Sequence, residues 1–194
     1  MANSKIVIVE GAQGVGKTTI TDFIRHSMKY TNLYRLSGTN DSSKTGLEKS
    51  IKMYTDLQEY MKTLENLGIN LLFDRTFFSE ENYCRLGYKE YCFTPVYNKL
   101  LDELSKMDFD IYYITLYLKD EGLYEKRLER KEKAKPSYAK FAVNKSIEQQ
   151  RMYLNMADEI NKKYAEKIKV YKIDNSRPIE KVQKEIKKIL GIQE

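Results

Sequence analysis

The chain has 194 residues, 41% of them hydrophobic and 32% charged, with a formal net charge of +6. That length predicts one domain, residues 1–194, with a substantial core, and the composition lies within ordinary globular limits. Cys84 and Cys92 are too few for a disulfide scaffold, no Cys or His cluster suggests zinc, and no apolar run approaches the roughly 18 residues that span a bilayer. No stretch reads as a signal peptide, because the apolar run after Lys5 is too short and passes straight into glycines. A reducing, cytoplasmic setting without a membrane partner is expected. The positive balance allows two kinds of partner, nucleic acid or a small phosphorylated ligand.

Ile6–Val9 is a short β-branched run, as in a buried parallel strand. Gly11, Ala12, Gln13, Gly14, Val15, Gly16, Lys17 and Thr18 then fit G-x-x-x-x-G-K-[ST] at every fixed position. Thr19 to about Lys29 reads as a helix, with Ile20, Phe23, Ile24 and Met28 at helical spacing. Strand, glycine loop and helix thus arrive in the order a phosphate-binding loop requires. Its glycines let backbone N–H groups face a phosphate, and the helix N-terminus adds positive potential. In such a loop Lys17 reaches the β- and γ-phosphates and the Thr18 hydroxyl ligates Mg²⁺. The expected ligand is a nucleoside triphosphate.

Thr31–Leu36 is a weaker strand candidate, and the polar segment Ser37–Thr45 is a loop. Leu47–Leu67 carries a helical rhythm that Gly68 is placed to end. Ile69–Phe73 is the next strand, and Asp74-Arg75 follows at once. Helices are expected at Tyr97–Met107 and Lys145–Tyr164, and strands at Ile111–Leu118 and Ile168–Ile173. The last helix starts near Pro178 and carries Val182, Ile186, Ile189 and Leu190 on one stripe, its lysines forming a solvated face. The single histidine, His26, is read as structural. Strands alternating with helices predict an α/β fold of the P-loop NTPase type. Its central parallel sheet has about five strands flanked by helices. Ligands in such sheets bind at the carboxyl ends of the strands.

Three further groups fall at that edge. Asp74 is placed to hold Mg²⁺ and Arg75 to grip a phosphate, the alternative being a plain strand-end ion pair. Arg127, Arg130 and Lys131 share one helical face in the basic segment after the Ile111–Leu118 strand. That face suits a small lid, at about residues 122–140, closing over polyphosphate; an alternating-charge surface helix is the plainer reading. Asn175 and Ser176, after the last strand, suit either helix capping or contact with a nucleotide base.

These four features, in this order, resemble the thymidylate kinase and deoxynucleoside kinase group of P-loop phosphotransferases over nearly the whole chain. The segment Glu10–Thr19 resembles both branches. Asp74-Arg75 resembles the thymidylate kinase pair, and Phe77–Tyr83 is nearer the nucleoside kinase branch. The resemblance implies ATP and Mg²⁺ as cofactors, with Gly11–Thr19, Arg127, Asn175 and Ser176 on the ATP side. Thr18 and Asp74 would hold the metal. Arg35, Asp74 and Arg75 would face the acceptor, and Lys17, Arg75, Arg127 and Arg130 would act in transfer. It also suggests a homodimer. This chain has Gln13 where thymidylate kinases carry a P-loop acid, Tyr54 near their base-contacting arginine, and Leu36-Ser37 where Glu-Pro is usual. Deoxynucleoside kinases place a carboxylate after the second strand to deprotonate a 5′-hydroxyl. Here the nearest acid after Arg35 is Asp41, which favours a monophosphate acceptor that needs no general base. The expected activity is therefore transfer of the γ-phosphoryl of ATP to a (deoxy)nucleoside monophosphate. A nucleoside kinase, or a nucleic-acid-stimulated NTPase or switch, are the alternatives; the short chain, with its basic run where a lid belongs, argues against the last.

Overall fold

The computed structural model describes residues 4–129 and 143–193. Five strands form one parallel sheet: β1 (Lys5–Glu10), β2 (Thr31–Arg35), β3 (Asn70–Asp74), β4 (Asp110–Tyr117) and β5 (Ile168–Asp174), in the order β2-β3-β1-β4-β5. Among the described residues seven helices flank it: α1 (Lys17–Ser27), α2 (Gly46–Thr63), α3 (Phe77–Arg85), α4 (Thr94–Leu104), α5 (Leu123–Glu129), α6 (Val143–Tyr164) and α7 (Ile179–Leu190). None is long and apolar enough to cross a membrane.

The alternation of side chains along β1 sorts the core into two layers. Ile6 and Ile8 pack on one face with Tyr54 of α2, Phe78 of α3, Leu101 of α4 and Ile160 of α6. Val7 and Val9 pack on the other with Ile20 and Ile24 of α1 and Val182 and Ile186 of α7. Both faces are covered, so β1 needs apolar residues at successive positions, as its sequence has. The register pairs Val9 with Asp74 and Arg35 with Asp74. The P-loop, the Asp-Arg step and the end of β2 therefore reach one edge together.

Three elements differ from the sequence reading. The helix expected at Tyr97–Met107 runs from Thr94 to Leu104, with a proline in its first turn. The rhythm over Leu47–Leu67 is helical only to Thr63. Beyond it Leu64, Glu65 and Leu67 donate three residues back, and Asn66 and Gly68 are left-handed at φ 62 and 73. The helix thus ends on a tight turn that Asn66 already breaks. Helix α3 has no periodic signature because Phe77, Phe78, Ser79, Glu80, Glu81 and Asn82 are all buried. A helix enclosed on every side has no polar stripe to read.

Candidate active site

The loop between β1 and α1 is shaped by close approach. At Gly16, φ is 100, and a Cβ would stand 2.6 Å from Asn175 Nδ2. At Gly11 a Cβ would stand 2.8 Å from the Leu116 carbonyl oxygen. A side chain would collide with the backbone of strand β4 at Gly11 and with the loop after β5 at Gly16. Ala12 and Val15 are fully buried and anchor the loop in the core. Lys17 is buried, and its Nζ donates to the carbonyls of Gly11 at 2.7 Å and Ala12 at 2.9 Å.

The loop is also tied to more distant elements. Arg127 of α5 donates to the carbonyls of Val15 at 2.8 Å and Asn175 at 2.7 Å. Asn175 donates through Nδ2 to the same Val15 carbonyl at 2.7 Å. On α6, Ser146 donates to the Gln13 carbonyl at 3.0 Å. One P-loop carbonyl thus joins the start of the basic segment to the β5–α7 loop.

Across the cleft, Thr18 Oγ1 lies 3.5 Å from Asp74 Oδ2. Arg35 donates to Asp22 and its Nε stands 3.7 Å from Asp74 Oδ2. Arg75 follows Asp74 in a left-handed conformation, φ 73. For a residue with a Cβ this costs on the order of 1–3 kcal/mol and persists only where surrounding contacts fix it. Its backbone N–H donates to Val9 at 3.2 Å and its Nη1 to Tyr83 OH at 2.6 Å. Beneath the turn lies Glu10, fully buried at the end of β1. Its carboxylate accepts from Thr76 N and Ser79 Oγ, each at 2.7 Å. Burial pushes its carboxyl up to about 7, against the pull of those two hydrogen bonds and of Arg75 and Lys17.

The resulting cleft has a volume of about 670 Å³. Lys17, Arg35, Arg75, Arg127 and Arg177 line it, and Asp74 is the one carboxylate among its described lining residues. Such a surface is built for a polyanion.

No family model matches the chain, and no curated protein matches it. Solved structures do. A thymidylate kinase from Candida albicans superposes with a TM-score of 0.68 at 15% identity, over 98% of this chain and 92% of its own. The YorR protein of Bacillus subtilis, solved in complex with phosphorylated GDP, gives 0.67 at 16%, over 96% and 95%. A deoxyadenosine kinase from M. mycoides, solved with dCMP and dCDP, gives 0.65 at 16%, over 96% and 98%. The fold is that of the P-loop nucleotide kinases.

Within this fold the cleft brings together most of the residues singled out from the sequence. Gln13, Gly14, Gly16, Lys17, Thr18, Thr19, Arg35, Asp74, Arg75, Arg127 and Asn175 all line it. Ser176 does not; its N–H and hydroxyl both donate to Asp174. Nor do Asn175 and Ser176 cap α7, which begins after Pro178 without a side-chain cap. Arg130 and Lys131 lie outside the described residues, as does the lid beyond residue 129. Asp41 does not line the cleft either. It closes its own loop, accepting from Lys49 at 2.6 Å and from Ser43 N and Thr45 Oγ1 at 2.9 Å, and these partners hold it below the usual carboxylate range. Tyr54 is a core residue packed against Phe77 and Phe93.

Sequence reading missed Glu10, the Arg75–Tyr83 bond, and Arg177 and Ile179 on the cleft wall. Glu10 left one trace: an acid ending an apolar strand just before the glycines. Tyr83 had none, because its partner is set by how α3 leaves the turn.

Proposed function

We propose that the protein is a nucleotide kinase that moves the γ-phosphoryl group of ATP to the 5′-phosphate of a (deoxy)nucleoside monophosphate. One observation carries the choice of acceptor. Two guanidinium groups, Arg35 and Arg75, stand at the ends of β2 and β3 across from the P-loop. The only described carboxylate lining the cleft already faces Arg35 and Thr18. Two arginines suit a phosphate dianion, which attacks through its own oxygen. A neutral nucleoside would need a carboxylate to take its proton, and Asp41 is turned away.

In this reading the P-loop N–H groups and Lys17 cradle the donor phosphates. Lys17 exchanges its two loop carbonyls for phosphate oxygens. Arg35 and Arg75 orient the acceptor phosphate, and Arg127 and Arg130 close over the transferring group and exclude water, which otherwise hydrolyses ATP. Asn175, Arg177 and Ile179 border the space for the donor base. Thr18 and Asp74 offer hard oxygen donors open to the cleft, which fit Mg²⁺. When bound there, the ion would neutralise charge on the donor's phosphates. Rate enhancement comes from positioning and charge stabilisation, with no covalent intermediate on the protein.

ADP release from Mg-ATP, measured with the four common deoxynucleoside monophosphates beside their parent nucleosides, tests the reading. Turnover with at least one monophosphate is the expected result. Turnover with nucleosides alone would move the protein to the other branch. ADP release indifferent to every acceptor would make it an NTPase.

A further inference from the structure

We propose that Glu10 is a positioning residue for the acceptor side of this cleft: its carboxylate clamps the Asp74–Thr76 turn and so sets where the Arg75 guanidinium sits. The inference rests on the reading of Arg75 as a ligand of the acceptor phosphate.

The backbone shows why a clamp is needed. The parallel ladder between β1 and β3 runs on past Asp74 for one bond, from Arg75 N to Val9 O. The next donor, Thr76 N, leaves the ladder and turns to the Glu10 side chain. On the other side Leu36 N donates to Asp74 O at 3.1 Å. Arg75 is thus held left-handed between a β2 contact and a carboxylate that stands in for a strand. The second carboxylate oxygen accepts from Ser79 in the first turn of α3, and Ser79 shares a 2.7 Å bond with Tyr153 of α6. Tyr83, the partner of the Arg75 guanidinium, lies one helical turn beyond Ser79. One buried carboxylate therefore fixes the backbone of Arg75 directly and the partner of its side chain through α3.

Among the described residues, Thr76 N meets no acceptor but Glu10. The other titratable groups that face Glu10 are Lys17 of α1, Arg75, Tyr54 of α2, Tyr97 of α4, Tyr113 of β4 and Tyr153 of α6. Lys17 donates to P-loop carbonyls, and the buried tyrosines are held neutral by their burial. A glutamine of the same shape keeps both contacts: its Oε1 accepts from Thr76 N, and its Nε2 donates to Ser79 Oγ, whose own hydroxyl then donates to Tyr153.

Steady-state kinetics on the full chain test this, using the monophosphate that gives the highest turnover, together with calorimetric binding of that monophosphate without ATP. Glu10→Ala is expected to raise the acceptor KM and Kd about tenfold or more while the KM for ATP moves less than about threefold. Glu10→Gln is expected to restore both to within about threefold of the parent. Mere loss of stability would lower the active fraction, and with it apparent kcat, without touching KM. If Glu10→Ala leaves acceptor KM and Kd unchanged while Arg75→Ala raises them, the clamp is overturned and the kinase reading stands. If Arg75→Ala itself changes neither, the reading of the acceptor side fails. A Gln variant as impaired as the Ala variant would also overturn a clamp made of hydrogen bonds. Should Glu10→Ala not fold, Ser79→Ala removes one of the two partners. It is expected to raise acceptor KM about twofold to fivefold, and an unchanged value overturns the proposal.

Discussion

The two sides of the cleft are built by different means. The side proposed for the donor is built around one continuous segment, Gly11–Thr19, whose shape follows from glycines at forced positions and from the helix that starts at Lys17, with Arg127 and Asn175 bonded to its Val15 carbonyl. The side proposed for the acceptor draws on Glu10, Arg35, Arg75 and Tyr83, which come from four separate places in the chain. Local steric demand fixes the first. The second depends on a strained turn held by a buried carboxylate, and therefore on the packing of α3 and α6 around it. The donor side should thus fail through single residues that touch phosphate. The acceptor side should fail gradually, through residues that touch one another.

The largest effect is expected at Lys17. Lys17→Ala should lower kcat by about a thousandfold or more, by removing a cation aimed at charge that develops in transfer. Thermal unfolding should show the variant still folded, because the lysine's loop carbonyls turn to water. A variant that keeps transfer would break the donor-side assignment.

Next is a pH effect centred on the acceptor side. Glu10 in the folded chain titrates at about 7, raised from 4.5 chiefly by burial. Its contribution to stability is therefore present at low pH and lost as pH rises through 7, because the folded state then holds an ionised group it disfavours. Glu10→Gln cannot titrate, so its stability relative to the parent should rise between pH 5 and pH 8 in denaturant unfolding. A gap that does not change with pH would show that the carboxylate is not buried as described.

Arg75→Ala should raise acceptor KM about tenfold to a hundredfold and leave the KM for ATP nearly unchanged, as expected for loss of one bidentate phosphate contact. Equal damage to both substrates would erase the distinction between the two sides. Asn175→Ala should have the smallest effect. It removes one of two donors to the Val15 carbonyl, worth about 1 kcal/mol, and should raise the KM for ATP a few-fold. An unchanged KM would show that Arg127 alone holds the loop.

The sequence by itself determined the sheet and the donor loop. The apolar runs that became β1, β3 and β4 are buried on both faces, so each reads as a continuous hydrophobic stretch; the edge strand β5 buries only Ile168 and Ile173 and was legible from its spaced apolar residues, and the glycine pattern specifies its own backbone. Weakly apolar β2 was also legible, since it follows directly from α1 and precedes a polar loop. Only the tertiary structure decided the rest. Helix α3 is buried through its first six residues and shows no period. Asp41 and Glu10 are both acids near a strand end, yet one closes a surface loop and the other lies buried under Arg75. Residue type and spacing cannot separate such a pair, because the difference lies in which distant N–H and O–H groups the fold brings within about 3 Å.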